Sequence, residues 1–421
     1  MDIRHTPSPA TVALIAIETL HGARNYHPLP LAASKAEGAW IWDVDGKPYL
    51  DMMSAYSAVS LGHAHPALIA ALVKQASTLA VTSRAYHNDI LPAFLAELSA
   101  ATGLPKALPM NSGAEAVETA IKACRKWGEK IKGIKPGLAN IIVCENNFHG
   151  RTTTIVGFSS DAQYRDGFGP FAAGFKRVPF GDAKALLDAI DADTCAFIFE
   201  PIQGEAGIVL PPPGYLAEAA RICKAARVLL IADEIQTGFG RCGAPFAHSA
   251  EIDQVDGLIL GKALGGGLLP ISALCGTEEL MGVFHPGDHG STFGGNPLAC
   301  AVARAAIPLL MDPALSERSL RLGALLLEEL RRRLAQCPFL LDIRGRGLFC
   351  AIELDSTAPA RVLVEILLGL GVVSKETHGS VLRLAPPLVI AQADILFAAQ
   401  RIGEAFEIYA GATGLSWTAY Q

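Results

Sequence analysis

No stretch of the 421 residues approaches the roughly 18 uninterrupted apolar positions that a membrane-crossing helix needs, so no membrane association is expected. Positive charge is in deficit, with 35 Lys and Arg against 41 Asp and Glu and a net charge of −6. Such a chain has no basic field to draw in a phosphate backbone, which excludes nucleic acid as the expected partner. The nine cysteines (124, 144, 195, 223, 242, 275, 300, 337 and 350) are odd in number and form no C-x-x-C pair. They are expected as reduced, mostly buried thiols in a cytoplasmic protein. The apolar stretch from Val12 to Ile17 is too short for the core of a signal peptide, and nothing near it is Arg-rich and acid-free as in a transit peptide. What the chain has instead is 51% hydrophobic and only 18% charged residues, a globular composition long enough for two or three domains.

The spacing predicts an N-terminal arm over residues 1–57, a large domain over 58–312 and a small α+β C-terminal domain over 313–421. In the arm, the D-G turn of WIWDVDGKPYLD between aromatic-rich runs predicts a hairpin. In the large domain the short runs NIIVCE (140–145), AFIFE (196–200), VLLIADE (228–234) and GLILGK (257–262) alternate with helix-length segments. That pattern belongs to an α/β protein whose mostly parallel central sheet is flanked by helices and buried on both faces. Beyond Asp312-Pro313 the run LSERSLRLGALLLEELRRRLAQ reads as one long helix.

Ligands of open α/β sheets collect beyond the carboxyl ends of the strands. The polar residues closing each apolar run therefore carry the information: Glu145, Glu200, Asp233 with Glu234, and Lys262. A lysine held against apolar walls loses solvation, and its neutral amine becomes a nucleophile for carbonyls. The alternative for Lys262 is a snorkelling side chain at a strand end. Asp233 follows four large apolar residues, and a buried acid needs a cationic partner. The ring nitrogen of pyridoxal phosphate would be one, and capping of a following helix is the alternative role. Ser112 and Glu115 form a capping-box signature, so the backbone N–H groups of Ser112, Gly113 and Ala114 are expected to be free at a helix N-terminus, where an anion binds. A second candidate for the anion is HGSTFGGNPLAC, where Ser291 and Thr292 offer hydroxyls ahead of a helix capped by Asn296 and opened by Pro297. Arg151 and Arg383 stand in apolar or small-residue settings suited to bidentate recognition of carboxylates, with structural salt bridges as the alternative. Glu205 lies in a Gly-rich turn after a strand, placed to meet an arginine or a substrate.

Two patterns are decoys. GFGRCG (238–243) fits G-x-G-x-x-G, but no strand and helix flank it directly, so a nicotinamide-dependent oxidoreductase is a weak alternative. His63, His65, His285 and His289 complete no ligand set, and no metal is expected.

Taken in order, PMNSGAEAVETAIK (109–122), NFHGRT (147–152), FEPIQGEAGI (199–208), IADEIQTGFGR (231–241), GKALGGG (261–267), HGSTFGGNPLA (289–299) and RGRGLF (344–349) resemble the class III aminotransferases of the fold-type I pyridoxal-phosphate superfamily over nearly the whole chain. The resemblance implies pyridoxal 5'-phosphate in a Schiff-base linkage to Lys262, with Asp233 at the ring nitrogen, Phe148 stacked on the ring and Gln236 at the phenolic oxygen. It implies phosphate contacts from Ser112, Gly113 and Ala114, with Ser291 and Thr292 supplied by a second subunit, hence a homodimer. It further implies ping-pong transfer of the terminal amino group of L-ornithine to 2-oxoglutarate. In that scheme Arg151 binds the ornithine carboxylate beside Tyr26 and Tyr56, while Glu205 neutralises Arg383 until the keto acid arrives. The substrates N-acetylornithine and 4-aminobutyrate, and a glutamate-1-semialdehyde aminomutase reaction, are the alternatives within the same chemistry.

Overall fold

The computed structural model describes residues 5–419. The chain forms two compact units, one of residues 66–316 and one that joins residues up to His65 to those from Glu317 onward.

The second of these is built from both ends of the sequence. β1 (Ala33–Glu37), β2 (Trp40–Asp43) and β3 (Pro48–Asp51) form an antiparallel meander, with the β2–β3 hairpin at the D-G turn as expected.

In the unit of residues 66–316, seven strands form one sheet: β4 (Lys106–Met110), β5 (Asn140–Cys144), β6 (Phe175–Val178), β7 (Thr194–Phe199), β8 (Leu229–Asp233), β9 (Gly257–Leu260) and β10 (Ser272–Gly276). Their spatial order is β4-β10-β9-β8-β7-β5-β6. Only β10 runs against its neighbours, so the sheet is mostly parallel, as the alternation of apolar runs and helix-length segments predicts. Every residue of β5, β7, β8, β9 and β10 is buried, which is why these segments read as continuous apolar runs without a period of two.

The helix Gly113–Trp127 packs Val117, Ala120, Ile121 and Cys124 against Ile141, Val143, Ile198, Ile231, Ile259 and Leu274 of the sheet. Each such Ile or Val contributes roughly 1.5–3 kcal/mol by leaving water. That packing fixes the helix start over the carboxyl edge of the strands, where the chemistry gathers.

Back in the two-ended unit, β11 (Leu340–Gly345), β12 (Cys350–Leu354), β14 (Lys375–Thr377) and β15 (Val381–Leu384) form an antiparallel sheet, while β13 (Val372–Val373) pairs in parallel with β3. The long helix expected after Asp312 spans Pro313–Arg333.

All nine cysteines are buried and unpaired. Among the described residues no single helix is long and apolar enough to cross a membrane, and no group of His, Cys, Asp and Glu is arranged to hold a metal ion.

Candidate active site

Consecutive parallel strands deliver their last residues to one edge of the sheet. β8 ends on Asp233, β7 is followed by Glu200, β9 by Gly261 and Lys262, and the loop after β5 carries Phe148 and His149. Asp233, Glu200, Lys262, Phe148 and His149 line one cavity of about 190 Å³, together with Gly113, Ala114, Gly150, Ile202, Ile235, Gln236 and Thr237.

The adjacent acids Asp233 and Glu234 divide their roles by the alternation of the chain. Glu234 accepts hydrogen bonds from the His248 backbone N–H at 2.7 Å and from His248 Nδ1 at 2.8 Å, and is fully buried. Asp233 lines the cavity. Its Oδ1 accepts from the Ile235 N–H at 3.1 Å, a local turn, and its Oδ2 from His149 Nδ1 at 2.6 Å. No helix begins at Asp233, so the capping role is not used. Burial disfavours a charged His149, yet the Asp233 hydrogen bond and charge, with Glu200 behind them, raise its pKa above the ordinary value. Burial pushes the Glu200 carboxyl up to about 7, against the opposing pull of His149.

Lys262 follows Gly261 in a tight turn with φ of +42°, a conformation that turns the chain sharply at the end of β9.

At the helix Gly113–Trp127 the capping box is present: Ser112 Oγ accepts from the Glu115 N–H at 3.2 Å. The expectation of three free N–H groups is corrected to two. Glu115 Oε2 accepts the Ser112 N–H at 2.7 Å, because the returning carboxylate is the other half of the same box. Gly113 and Ala114 remain the helix-terminal donors on the cavity wall. Ser291 accepts from Asn111 Nδ2 at 2.8 Å within the same chain, and Thr292 is exposed. Asn296 caps the helix Pro297–Leu310 as expected.

Arg151 is exposed, with its guanidinium 3.9 Å from the centre of the Tyr164 ring and 5.9 Å from that of Phe148. Burial raises the pKa of the Tyr164 hydroxyl, and the charge of the partly buried Glu205 adds a smaller push in the same direction. Within the two-ended unit, Arg383 on β15 is buried beneath Tyr56, its guanidinium 5.5 Å from the ring centre, while Tyr26 is exposed. No local pattern in the sequence marks a role for His149 or Tyr164, and the signal for Glu200 is its place at the end of an apolar run.

A parallel sheet presenting a lysine amine, a buried carboxylate and a helix N-terminus to one cavity defines a pyridoxal-phosphate site of the fold-type I kind. The chain belongs to the class III aminotransferase family, whose sequence profile (Aminotransferase class-III) it matches over residues 21–406. It is 54% identical to the ornithine aminotransferase of Brevibacillus brevis over 387 residues, 92% of this chain and 96% of that one. Its fold superposes on the crystal structure of the Toxoplasma gondii ornithine aminotransferase with a TM-score of 0.94 at 42% identity, covering 96% of each chain. A second crystal structure of that enzyme carries pyridoxal phosphate at its active site. The acetylornithine aminotransferase of Elizabethkingia anophelis matches with a TM-score of 0.87 at 48% identity, over 94% of this chain and 99% of that one.

Class III aminotransferases use pyridoxal phosphate, and the cavity suits it. His149 Nε2 is buried there without a hydrogen-bond partner. A Cβ on Gly113 would meet Ile235 Cδ1 at 2.9 Å, and one on Gly150, whose φ is +128°, would meet Ala114 Cβ at 2.9 Å. The walls at the helix start are thus kept free of side chains where a phosphate must approach backbone N–H groups.

Proposed function

We propose that the protein is an ornithine δ-aminotransferase, moving the terminal amino group of L-ornithine to 2-oxoglutarate to give glutamate 5-semialdehyde and glutamate. The observation that carries the reaction type is the convergence of Lys262, Asp233, Phe148, Gln236, Gly113 and Ala114 on one cavity. The substrate is carried by the 54% identity to the Brevibacillus brevis enzyme over nearly all of both chains.

When bound, pyridoxal phosphate supplies an aldehyde that exchanges amines and a ring that accepts an electron pair. In this reading Gly113 and Ala114 hold its phosphate by their N–H groups. Asp233 would partner the ring nitrogen, Phe148 would lie against the ring and Gln236 would partner the phenolic oxygen. Lys262 would hold the aldehyde, and its Nζ is the base that would move the proton of the substrate carbon bearing the nitrogen. Arg151, propped on Tyr164, binds the substrate carboxylate left at the far end of the molecule.

The reading includes a homodimer with Ser291 and Thr292 reaching the second subunit's site, for which the family resemblance is the support. It includes a cytoplasmic location, supported by nine unpaired thiols.

A second reading, N-acetylornithine as donor, is favoured by the 48% identity to the Elizabethkingia anophelis enzyme and by the FHGRT block. Titrating the cofactor-loaded protein with L-ornithine, N-acetylornithine and 4-aminobutyrate, and following the visible absorbance, decides between them. L-Ornithine is expected to bleach the band fastest, and faster bleaching by N-acetylornithine would reassign the donor.

A further inference from the structure

Lys262, Asp233 and Phe148 have tasks in the reaction, but two ionisable groups in the same cavity have none. His149 follows Phe148 and is buried, with Nδ1 on Asp233 Oδ2 at 2.6 Å. Because the Ile235 N–H occupies Oδ1, the Asp233 carboxylate is held at both oxygens and has one orientation. Glu200, at the end of β7, accepts the Phe148 N–H on Oε2 at 2.9 Å and the Gly204 N–H on Oε1 at 3.2 Å. It therefore ties the peptide next to His149 to the strand beside β8, the strand that carries Asp233.

We propose that His149, anchored through Glu200, is a positioning residue for Asp233, holding that carboxylate aimed for the ring nitrogen of the cofactor. Three observations converge on this. A carboxylate engaged at both oxygens keeps one orientation, and His149 Nδ1 is the partner of Asp233 Oδ2. Glu200 is already engaged by the backbone N–H groups of Phe148 and Gly204, so Asp233 is the carboxylate that hydrogen-bonds His149. The remaining nitrogen, Nε2, has no partner that would draw the ring away. His149 and Asp233 stand 84 positions apart in sequence, so only the parallel pairing of β5, β7 and β8 brings them together.

The inference rests on the assignment of Asp233 to the ring nitrogen, and the test separates the two. The probe is pyridoxine 5'-phosphate, which lacks the aldehyde, forms no bond with Lys262 and so reports ring and phosphate contacts alone. Its affinity for the cofactor-free protein is measured calorimetrically for the wild type and for His149→Leu, His149→Asn and Asp233→Ala. His149→Leu is expected to weaken binding on the order of ten-fold, the scale of a hydrogen bond to a charged group, and His149→Asn, which keeps a donor near Nδ1, to stay within about three-fold of the wild type. The absorbance of the bound probe is expected to move toward its unprotonated-ring form in His149→Leu and Asp233→Ala, and to stay at the wild-type form in His149→Asn.

Wild-type affinity and spectrum in His149→Leu would overturn the role of His149. If Asp233→Ala also binds as the wild type does, the ring-nitrogen assignment itself fails. If Asp233→Ala loses binding and His149→Leu does not, only the positioning role falls. Should His149→Leu not fold, the Nδ1 proton resonance of the wild type decides: a shift on adding the probe supports the proposal, and an unmoved resonance overturns it.

Discussion

Lys262 and Glu200 sit at equivalent places, each just past the end of a buried strand, and do opposite things with a proton. Lys262 must give up and regain one during turnover, so Lys262→Ala is expected to cut kcat by at least about a thousand-fold, within the range for a lost general acid–base. Borohydride reduction of the loaded wild type should leave the cofactor's mass on the peptide carrying Lys262. Appearance of that mass on another peptide would refute the assignment. Glu200 keeps its proton for longer than an exposed acid does. Its carboxyl is raised by burial from 4.5 to about 7 in the folded chain. Between those values the folded state holds a proton that the unfolded chain releases, so stability falls as pH rises through that window and stays lower above it. Against Glu200→Gln, which does not titrate, the wild type should lose on the order of 3 kcal/mol between pH 4.5 and pH 7.5. Urea unfolding of both proteins at the two pH values checks this, and a constant difference would refute it. Arg151 makes a different demand. Its guanidinium is already stacked on Tyr164, so Arg151→Ala should raise the KM for L-ornithine by about ten-fold or more while kcat falls less. Steady-state rates at saturating 2-oxoglutarate measure the split.

At the scale of elements, two stretches carry constraints that side-chain chemistry does not advertise. Ser54, Ala55, Tyr56 and Ser57 all have positive φ, from 44° to 73°, although none is glycine. A left-handed turn of L-residues costs roughly 1–2 kcal/mol per residue, and buried groups hold it in place. Asp51 Oδ1 accepts the N–H groups of Met53 and Ser54 at 2.8 Å each, and Ser54 Oγ donates to the Ala385 carbonyl at 2.6 Å. Tyr56 is thereby set over Arg383. The second stretch is the helix Pro313–Arg333, where the backbone crosses the RGRG turn so closely that a Cβ on Gly323 would lie 2.0 Å from the Gly347 carbonyl oxygen. The same junction is fixed by the Leu348 N–H on Ser319 Oγ at 3.0 Å. Alanine is ordinarily the better helix former, but here Gly323→Ala should destabilise the protein, on the order of 3 kcal/mol, because backbone cannot step aside as a side chain can. Thermal and urea unfolding of the variant measure it, and a gain in stability would show that the two segments separate readily.

Over the whole molecule, legibility followed the range of the interaction. Buried parallel strands announce themselves by unbroken apolar runs, and β5, β7, β8 and β9 lie where those runs are. The caps at Ser112 and Asn296 need only a few residues and were equally plain. The engaged Ser112 N–H was implied by the capping box that located the helix, since Glu115 must return to it. The parallel pairing of β3 with β13 joins Leu50 to Val372, and no local pattern encodes it. Nor does any local pattern give the left-handed turn at Ser54, which lacks the glycine that marks such turns, or the meeting of His149 with Asp233.

The burial of every thiol makes the protein its own clock. Seven of the nine thiols, Cys124 through Cys300, lie in the unit of residues 66–316, and Cys337 and Cys350 lie in the other. Burial raises the thiol pKa to about 12 at Cys144, Cys195, Cys223, Cys275 and Cys300, so an alkylating reagent at pH 8 finds almost no thiolate while the fold is closed. Mass spectrometry during slow denaturation should then show adducts arriving in bursts of two and of seven if the units open separately, or nine together if they open as one. The order of the bursts ranks the two halves by how often each breathes, without a label having been engineered into either.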